Sequence, residues 1–215
     1  VSTDAPEYAE HQIRRRAKLA LRKQMRAVRA ALPGSACDTR SAAITGRLLE
    51  LDEVARAGTI LCFASIRNEV RTGPLMNALW EMGKRVLLPR VAGDDLELCV
   101  VERDTPLVEG AFSVPEPFDQ ALPWPAQEVE FALVPALAVD PRGFRIGYGA
   151  GYYDRLLPRM QHACSCAVAY DFQLVSEVPE LPFDVAVTLV VTDQRVVRTQ
   201  RAGALDAPGS GIDHR

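Results

Sequence analysis

Three features of this sequence predict an α/β fold with a mostly parallel sheet flanked by helices. A long amphipathic segment opens the chain, short apolar β-branched runs alternate with helix-period segments through its middle, and a strand leads through a glycine-rich loop into a helix near residue 150. Strands covered on both faces read as continuous apolar runs, and β-α-β order requires a crossover helix on a sheet face. The 215 residues, 48% of them hydrophobic, suffice for one generous core. A single domain is expected over 1–198. Residues 199–215 are small, polar and Pro/Gly-containing without periodicity, and are expected to form a disordered tail.

The first helix is predicted from Pro6 to Leu32, where Ile13, Ala17, Leu21, Met25, Val28 and Leu32 recur at steps of three or four and Pro33-Gly34 ends the run. Lys18, Arg22, Arg26 and Arg29 share a second stripe, so their charges line one side of it. Spacing alone leaves this stripe as a solvated basic face. Asp38 is placed to cap a second helix reaching about Val54. The run 59–63 is a buried strand, 72–82 a helix with Thr72 as cap, Pro74 in its first turn and Gly83 at its end, and 86–88 the next strand. Further strands are expected at 97–101, 129–134, 166–170 and 187–191, with a helix over 151–160. Five prolines between 105 and 127 exclude a helix or central strand there and predict an ordered crossing loop.

A net charge of −3 argues against a nucleic-acid-binding protein, because phosphate neutralisation needs a clustered cationic surface. No apolar run of about 18 residues is present and the first thirty residues are charged, so a cytoplasmic, membrane-free protein is expected. A monomer is the expectation for its assembly, which the sequence itself does not determine. The five cysteines are odd in number and scattered, which reads as incidental or buried thiols rather than disulfides or a zinc site.

Residues 133–157 carry the chemistry. Alternate glycines at 147, 149 and 151 let backbone N–H groups approach an anion, the following helix start adds positive potential, and Arg145 adds forked donors. Asp154, close behind, is placed to hold magnesium through oxygen. The segment lacks the Gly-Lys-Ser/Thr of a Walker loop and does not match the dinucleotide fingerprint.

The stretch Arg145-Ile146-Gly147-Tyr148-Gly149-Ala150-Gly151-Tyr152-Tyr153-Asp154 resembles the Arg-Leu-Gly-x-Gly-x-Gly-Tyr-Tyr-Asp loop of the 5-formyltetrahydrofolate cyclo-ligase family, departing at Ile146 and at Ala150, where glycine or lysine is usual. Lys18 and Arg22 look like the family's N-terminal Lys-x-x-x-Arg, Glu69-Val70-Arg71-Thr72 like its Glu-x-x-Thr, and Val178-Pro179 with Asp184 and Thr188 like its C-terminal motif. Gly83-Lys84-Arg85, Pro89-Arg90, Gly110 and Pro115-Glu116-Pro117 follow in the family's order.

That resemblance implies a three-layer sheet similar to the NagB/ribose-5-phosphate isomerase/CoA-transferase-like fold. It implies a carbon–nitrogen bond-forming enzyme closing 5-formyltetrahydrofolate to 5,10-methenyltetrahydrofolate with ATP as co-substrate and Mg2+ as cofactor, through a phosphorylated formyl-imidate. Catalytic roles go to Arg145, Lys18 and Arg22, and ATP contacts to these three with the loop from Ile146 to Tyr153. Folate contacts go to Glu69, Tyr148, Tyr152 and Tyr153, and metal contacts to Asp154 and Asp184. Asp140, Asp171, Trp80 and Trp124 receive no role. A sugar-phosphate isomerase or CoA-transferase relative and a ligand-binding sensor without turnover stand as alternatives.

Overall fold

The computed structural model describes residues 4–118 and 121–199, so of the expected tail only Thr199 is seen; it is buried, and its hydroxyl donates to Val187 O at 2.8 Å. Residues 200–215 lie outside the described residues. Helix α1 spans Asp4–Ala30 and stops two residues before the predicted end, because Leu32 precedes Pro33 and is steered out of helical backbone. The predicted single second helix is two, α2 (Gly34–Leu49) and α3 (Asp52–Arg56), separated by Leu51 in extended backbone. Asp38 therefore lies inside α2 and is not its cap; Pro33, already extended, sets the helix start.

Strand β1 (Thr59–Leu61), helix α4 (Gly73–Glu81) and strand β2 (Arg85–Ala92) form the expected parallel crossover, with Ile60 opposite Val86. Gly83 at φ +72° stops α4, but the Thr72 hydroxyl donates to Phe63 O at 2.6 Å and makes no cap bond. β3 (Asp95–Val101) returns antiparallel on β2. The proline-rich stretch is more ordered than a loop: β4 (Leu107–Glu109) and β5 (Pro115–Pro117) make a separate hairpin, and β6 (Pro123–Trp124) edges β3. Prolines cannot donate to a ladder, which confines these strands to edges and a two-stranded unit.

β7 (Phe131–Pro135) leads into the small hairpin β8 (Ala138–Val139) and β9 (Arg145–Ile146). The helix expected over 151–160 is shorter: α5 covers Tyr152–Leu156 and a 3-10 turn covers Leu157–Arg159, because Pro158 cannot supply the N–H that would continue it. β10 (Cys164–Val168) and β11 (Leu189–Val191) follow two residues from their expected starts, and β12 (Val196–Arg198) adds an antiparallel edge absent from the expectation.

Among the described residues eight strands join in the order β12-β11-β10-β7-β1-β2-β3-β6, the five from β11 to β2 being parallel. Successive side chains point to opposite faces. Ile60, Val86, Phe131, Leu133, Cys166 and Leu189 therefore pack with α2, α3 and α4, whereas Leu61, Leu87, Ala132, Val134, Ala167 and Val190 pack with α5 and the turn after it. The two faces account for the apolar runs, and each full-sized side chain buried here contributes about 1.5–3 kcal/mol. A third cluster sets Leu21 and Met25 of α1 against Leu137, Ala138 and Ile146, which lays the first helix over the β8–β9 hairpin.

Candidate active site

Open α/β sheets offer ligands a crevice at the carboxyl ends of strands where the direction of travel across the sheet reverses. Here that point falls between β1 and β7, since the chain moves from β1 to β2 and β3 on one side before returning to β7 on the other. The loop after β1 carries Glu69. The segment after β7 carries Arg145 and the glycine loop, and α1 lies above it.

The basic stripe of α1 faces this crevice. Lys18 and Arg29 are 9% and 6% exposed, which excludes the solvated-face reading for both. The Lys18 ammonium pairs with Asp184 Oδ2, which also accepts from Leu181 N at 2.6 Å. Arg22 Nε donates to Gly147 O at 2.9 Å, and its guanidinium lies 3.5 Å from where a Cβ on Gly149 would stand. Burial lowers the Arg22 pKa and neighbouring Arg26 adds to the effect. An anion in the crevice would relieve both costs.

Glu69 is 5% exposed. Its Oε2 accepts from Ile66 N at 3.1 Å, its Oε1 accepts from the Tyr148 hydroxyl at 3.0 Å, and Arg29 stands 3.5 Å away and also bonds that hydroxyl. Tyr170, two residues past β10, donates its hydroxyl to Glu69 O at 3.0 Å and so ties the segment after β10 to the loop after β1. Burial and the Glu69 charge raise the Tyr148 pKa, keeping its proton in the bond.

Arg145 is buried. Its Nη1 donates to Val185 O at 2.6 Å and its Nη2 to Asp154 Oδ1 at 3.1 Å, with the same oxygen accepting from Val185 N at 3.1 Å. Burial lowers the guanidinium's pKa, while the charges of Asp154 and Asp184 oppose that, so both carboxylates lie in its field. Asp154 Oδ2 and Asp184 Oδ1 take no protein donor among the described residues. Each carboxylate could lend that oxygen to a magnesium ion, which binds through one or two carboxylates plus phosphate oxygens and water, and the described residues hold no cluster of three or more metal-ligating side chains.

The adjacent tyrosines diverge. Tyr152 meets Phe112 edge-on at 6.4 Å with Arg155 over its ring at 5.2 Å, whereas the Tyr153 hydroxyl is buried without a partner among the described residues and its pKa is raised, first by burial and then by Glu69. Gly147 has open space around it, Gly149 and Gly151 have φ +114° and +74°, and Ala150 needs no left-handed backbone, its carbonyl accepting from Arg155 at 3.0 Å. With α5 only five residues long, the positive potential expected from a helix start is small.

Sequence reasoning missed three contributors. Phe112, in left-handed backbone at φ +60° and 69% exposed, had no signal in its proline-rich surroundings. Arg29 was visible as the last member of the stripe. Asp140, fully buried, accepts from Arg142 N, Phe144 N and Val178 N at 2.9–3.1 Å and from the Arg142 guanidinium, holding the turn before Arg145 against the segment leading to Asp184.

Residues 14–193 match the model of the 5-formyltetrahydrofolate cyclo-ligase family. The chain belongs to that family. A 5-formyltetrahydrofolate cyclo-ligase of Mycolicibacterium smegmatis is 35% identical over 84% of this chain and 95% of its own, and one of Escherichia coli is 33% identical over 70% and 86%. The solution structure of 5,10-methenyltetrahydrofolate synthetase from Aquifex aeolicus superposes with a TM-score of 0.77 at 31% identity, covering 92% of this chain and 97% of that one. The cyclo-ligase match spans Lys18, Glu69, the glycine loop and Asp184, the same residues that the fold assembles.

Proposed function

We propose that this chain closes 5-formyltetrahydrofolate to 5,10-methenyltetrahydrofolate at the expense of ATP, and that the crevice between β1 and β7 is where it does so. The observation that carries the reading is the convergence, in a member of this family, of the α1 cations, the glycine loop and a buried carboxylate on one strand-end crevice. ATP phosphates would lie between Lys18, Arg22, Arg145 and the amides from Ile146 to Tyr153, where fixed cations and N–H groups neutralise charge without reorganising. Asp154 and Asp184, both in the field of Arg145, would hold magnesium, which supplies charge neutralisation on the phosphate oxygens.

Glu69 presents two oxygens to the neighbouring N–H donors of a pterin edge, a charge-assisted match. Tyr148, bonded to Glu69, borders that subsite, Tyr152 is given to it by the family resemblance alone, and the unpartnered Tyr153 hydroxyl offers a buried polar contact that a substrate atom would satisfy. In the reaction the formyl oxygen attacks the γ-phosphorus and ADP leaves. The neighbouring folate nitrogen then attacks the activated carbon and gives up its proton to solvent, the carbon–oxygen bond breaks, and phosphate departs. The protein aligns the partners and neutralises charge, so no side-chain nucleophile is required.

The test is absorbance of methenyl-folate formed with and without ATP. ATP-dependent formation is expected. Turnover of a sugar phosphate or CoA ester without folate, or folate binding without turnover, would replace this reading with an isomerase, a transferase or a sensor.

A further inference from the structure

The carboxylate proposed to receive the pterin is already occupied by the chain's own loop. Tyr148 donates its hydroxyl to Glu69 Oε1 at 3.0 Å, Arg29 bonds that hydroxyl, and Arg26 and Arg29 each lie 5.7 Å from its ring centre. A pterin edge with two donors uses both carboxylate oxygens, and at Oε1 it meets the Tyr148 hydroxyl with Arg29 3.5 Å away while Oε2 already accepts from Ile66 N, so Tyr148 competes with it for Oε1. Tyr148 stands between Gly147, which has open space around it, and Gly149 at φ +114°, so the backbone on either side can turn. Arg22 Nε also holds this stretch, donating to Gly147 O at 2.9 Å, and Arg155 holds the loop just beyond it at Ala150 O.

We infer that Tyr148 is a positioning residue that makes folate binding depend on bound nucleotide, with Arg22 as the link between the two subsites. This rests on the ATP and pterin placements proposed above. A triphosphate is a far stronger partner for a guanidinium than a neutral carbonyl, because the bond becomes charge-assisted on both sides. Drawing Arg22 to phosphate removes the hold on Gly147, the residue next to Tyr148. The loop then closes on phosphate through its amides, and the Tyr148 hydroxyl leaves Glu69. Without nucleotide, the bond persists and competes with the pterin. Nucleotide and folate thus favour the same loop arrangement, and by linkage each tightens the other by the same factor.

The experiment is calorimetric titration of 5-formyltetrahydrofolate, with and without a non-hydrolysable ATP analogue and magnesium, into the wild-type chain and into Tyr148→Phe. The expected result is about tenfold tighter folate binding with nucleotide in the wild type, the worth of one hydrogen bond to a charged group. Tyr148→Phe, which keeps the ring and removes the competing hydroxyl, should bind folate without nucleotide about tenfold more tightly than wild type and show a coupling factor near one. Unchanged coupling in Tyr148→Phe, or weaker folate binding with and without nucleotide, would overturn the inference, as would a wild type in which nucleotide leaves folate affinity unaltered. Glu69→Gln separates the two levels. If it loses folate affinity while the wild type shows no coupling, the pterin placement stands and only the Tyr148 mechanism falls; if it binds folate normally, both fall.

Discussion

Lys18 and Asp184 are each nearly buried and are each other's counter-ion, so neither can be removed alone without stranding a charge. Breaking such a pair from one side typically costs about 3–5 kcal/mol. Lys18→Ala is therefore expected to lower the unfolding midpoint as well as raise the KM for ATP. Adding Asp184→Asn to Lys18→Ala should recover most of the stability and none of the ATP affinity, as read by thermal denaturation and steady-state kinetics on both variants. Recovery of both would reduce Lys18 to a structural partner. Arg145 makes a different demand, because its two terminal nitrogens reach Val185 O and Asp154 at once. A lysine keeps the charge but cannot span both acceptors. Arg145→Lys should reduce turnover about a hundredfold or more, the usual loss when a preorganised donor to developing charge is misplaced. A change under about threefold, measured as kcat at saturating ATP, would place Arg145 outside the chemistry.

At the scale of elements, the β8–β9 hairpin is the part that decides the site's geometry. It connects β7 to the glycine loop, it seats α1, and its turn is held by Asp140. Gly143 sits in that turn at φ +91°, where a Cβ would stand 2.3 Å from Val187 O. Gly143→Ala must therefore adopt strained backbone and also push the segment before β11 away, a combination costing about 1–3 kcal/mol for the strain alone. The expected outcome is a lower unfolding midpoint and a loss of activity exceeding the unfolded fraction, because Arg145 is displaced with the hairpin. Circular dichroism melts with activity at a temperature where the variant is folded would check this. Wild-type activity per folded molecule would show that the hairpin tolerates the shift. By contrast, alanine at Gly147 meets open space and should leave the packing of the loop undisturbed.

For the whole molecule, the crevice brings together residues from 18 to 184, so a ligand that bridges them should stabilise the entire fold. Magnesium-ATP at a hundred times its Kd adds about 2.7 kcal/mol by mass action, or roughly 5–10 °C in unfolding midpoint for a chain of this size. Excess chelator should remove most of that shift and abolish product formation, since Asp154 and Asp184 would then face phosphate without an intervening cation. A shift and rate unaffected by chelator would remove magnesium from the site.

Chemistry that is local in sequence could be read from sequence. Strand and helix periods of the central crossover, the strand-glycine-helix segment, and the Lys18–Arg22 spacing follow from side-chain periodicity and from the few residues that tolerate left-handed turns. These are properties of neighbours along the chain. What required the tertiary structure was pairing across long separations. The basic stripe on α1 has the spacing of any solvated helix face; only its packing over the β8–β9 hairpin turns Lys18 toward Asp184, Arg22 toward Gly147 and Arg29 toward Glu69. Phe112 meets Tyr152 because two antiparallel strands with a strained tip bring it there, and Asp140 is structural because folding surrounds it with donors from both ends of the motif. Periodicity states which side chains share a face, whereas which face meets which depends on burial of the whole apolar surface, a sum to which every element contributes and that no local segment encodes.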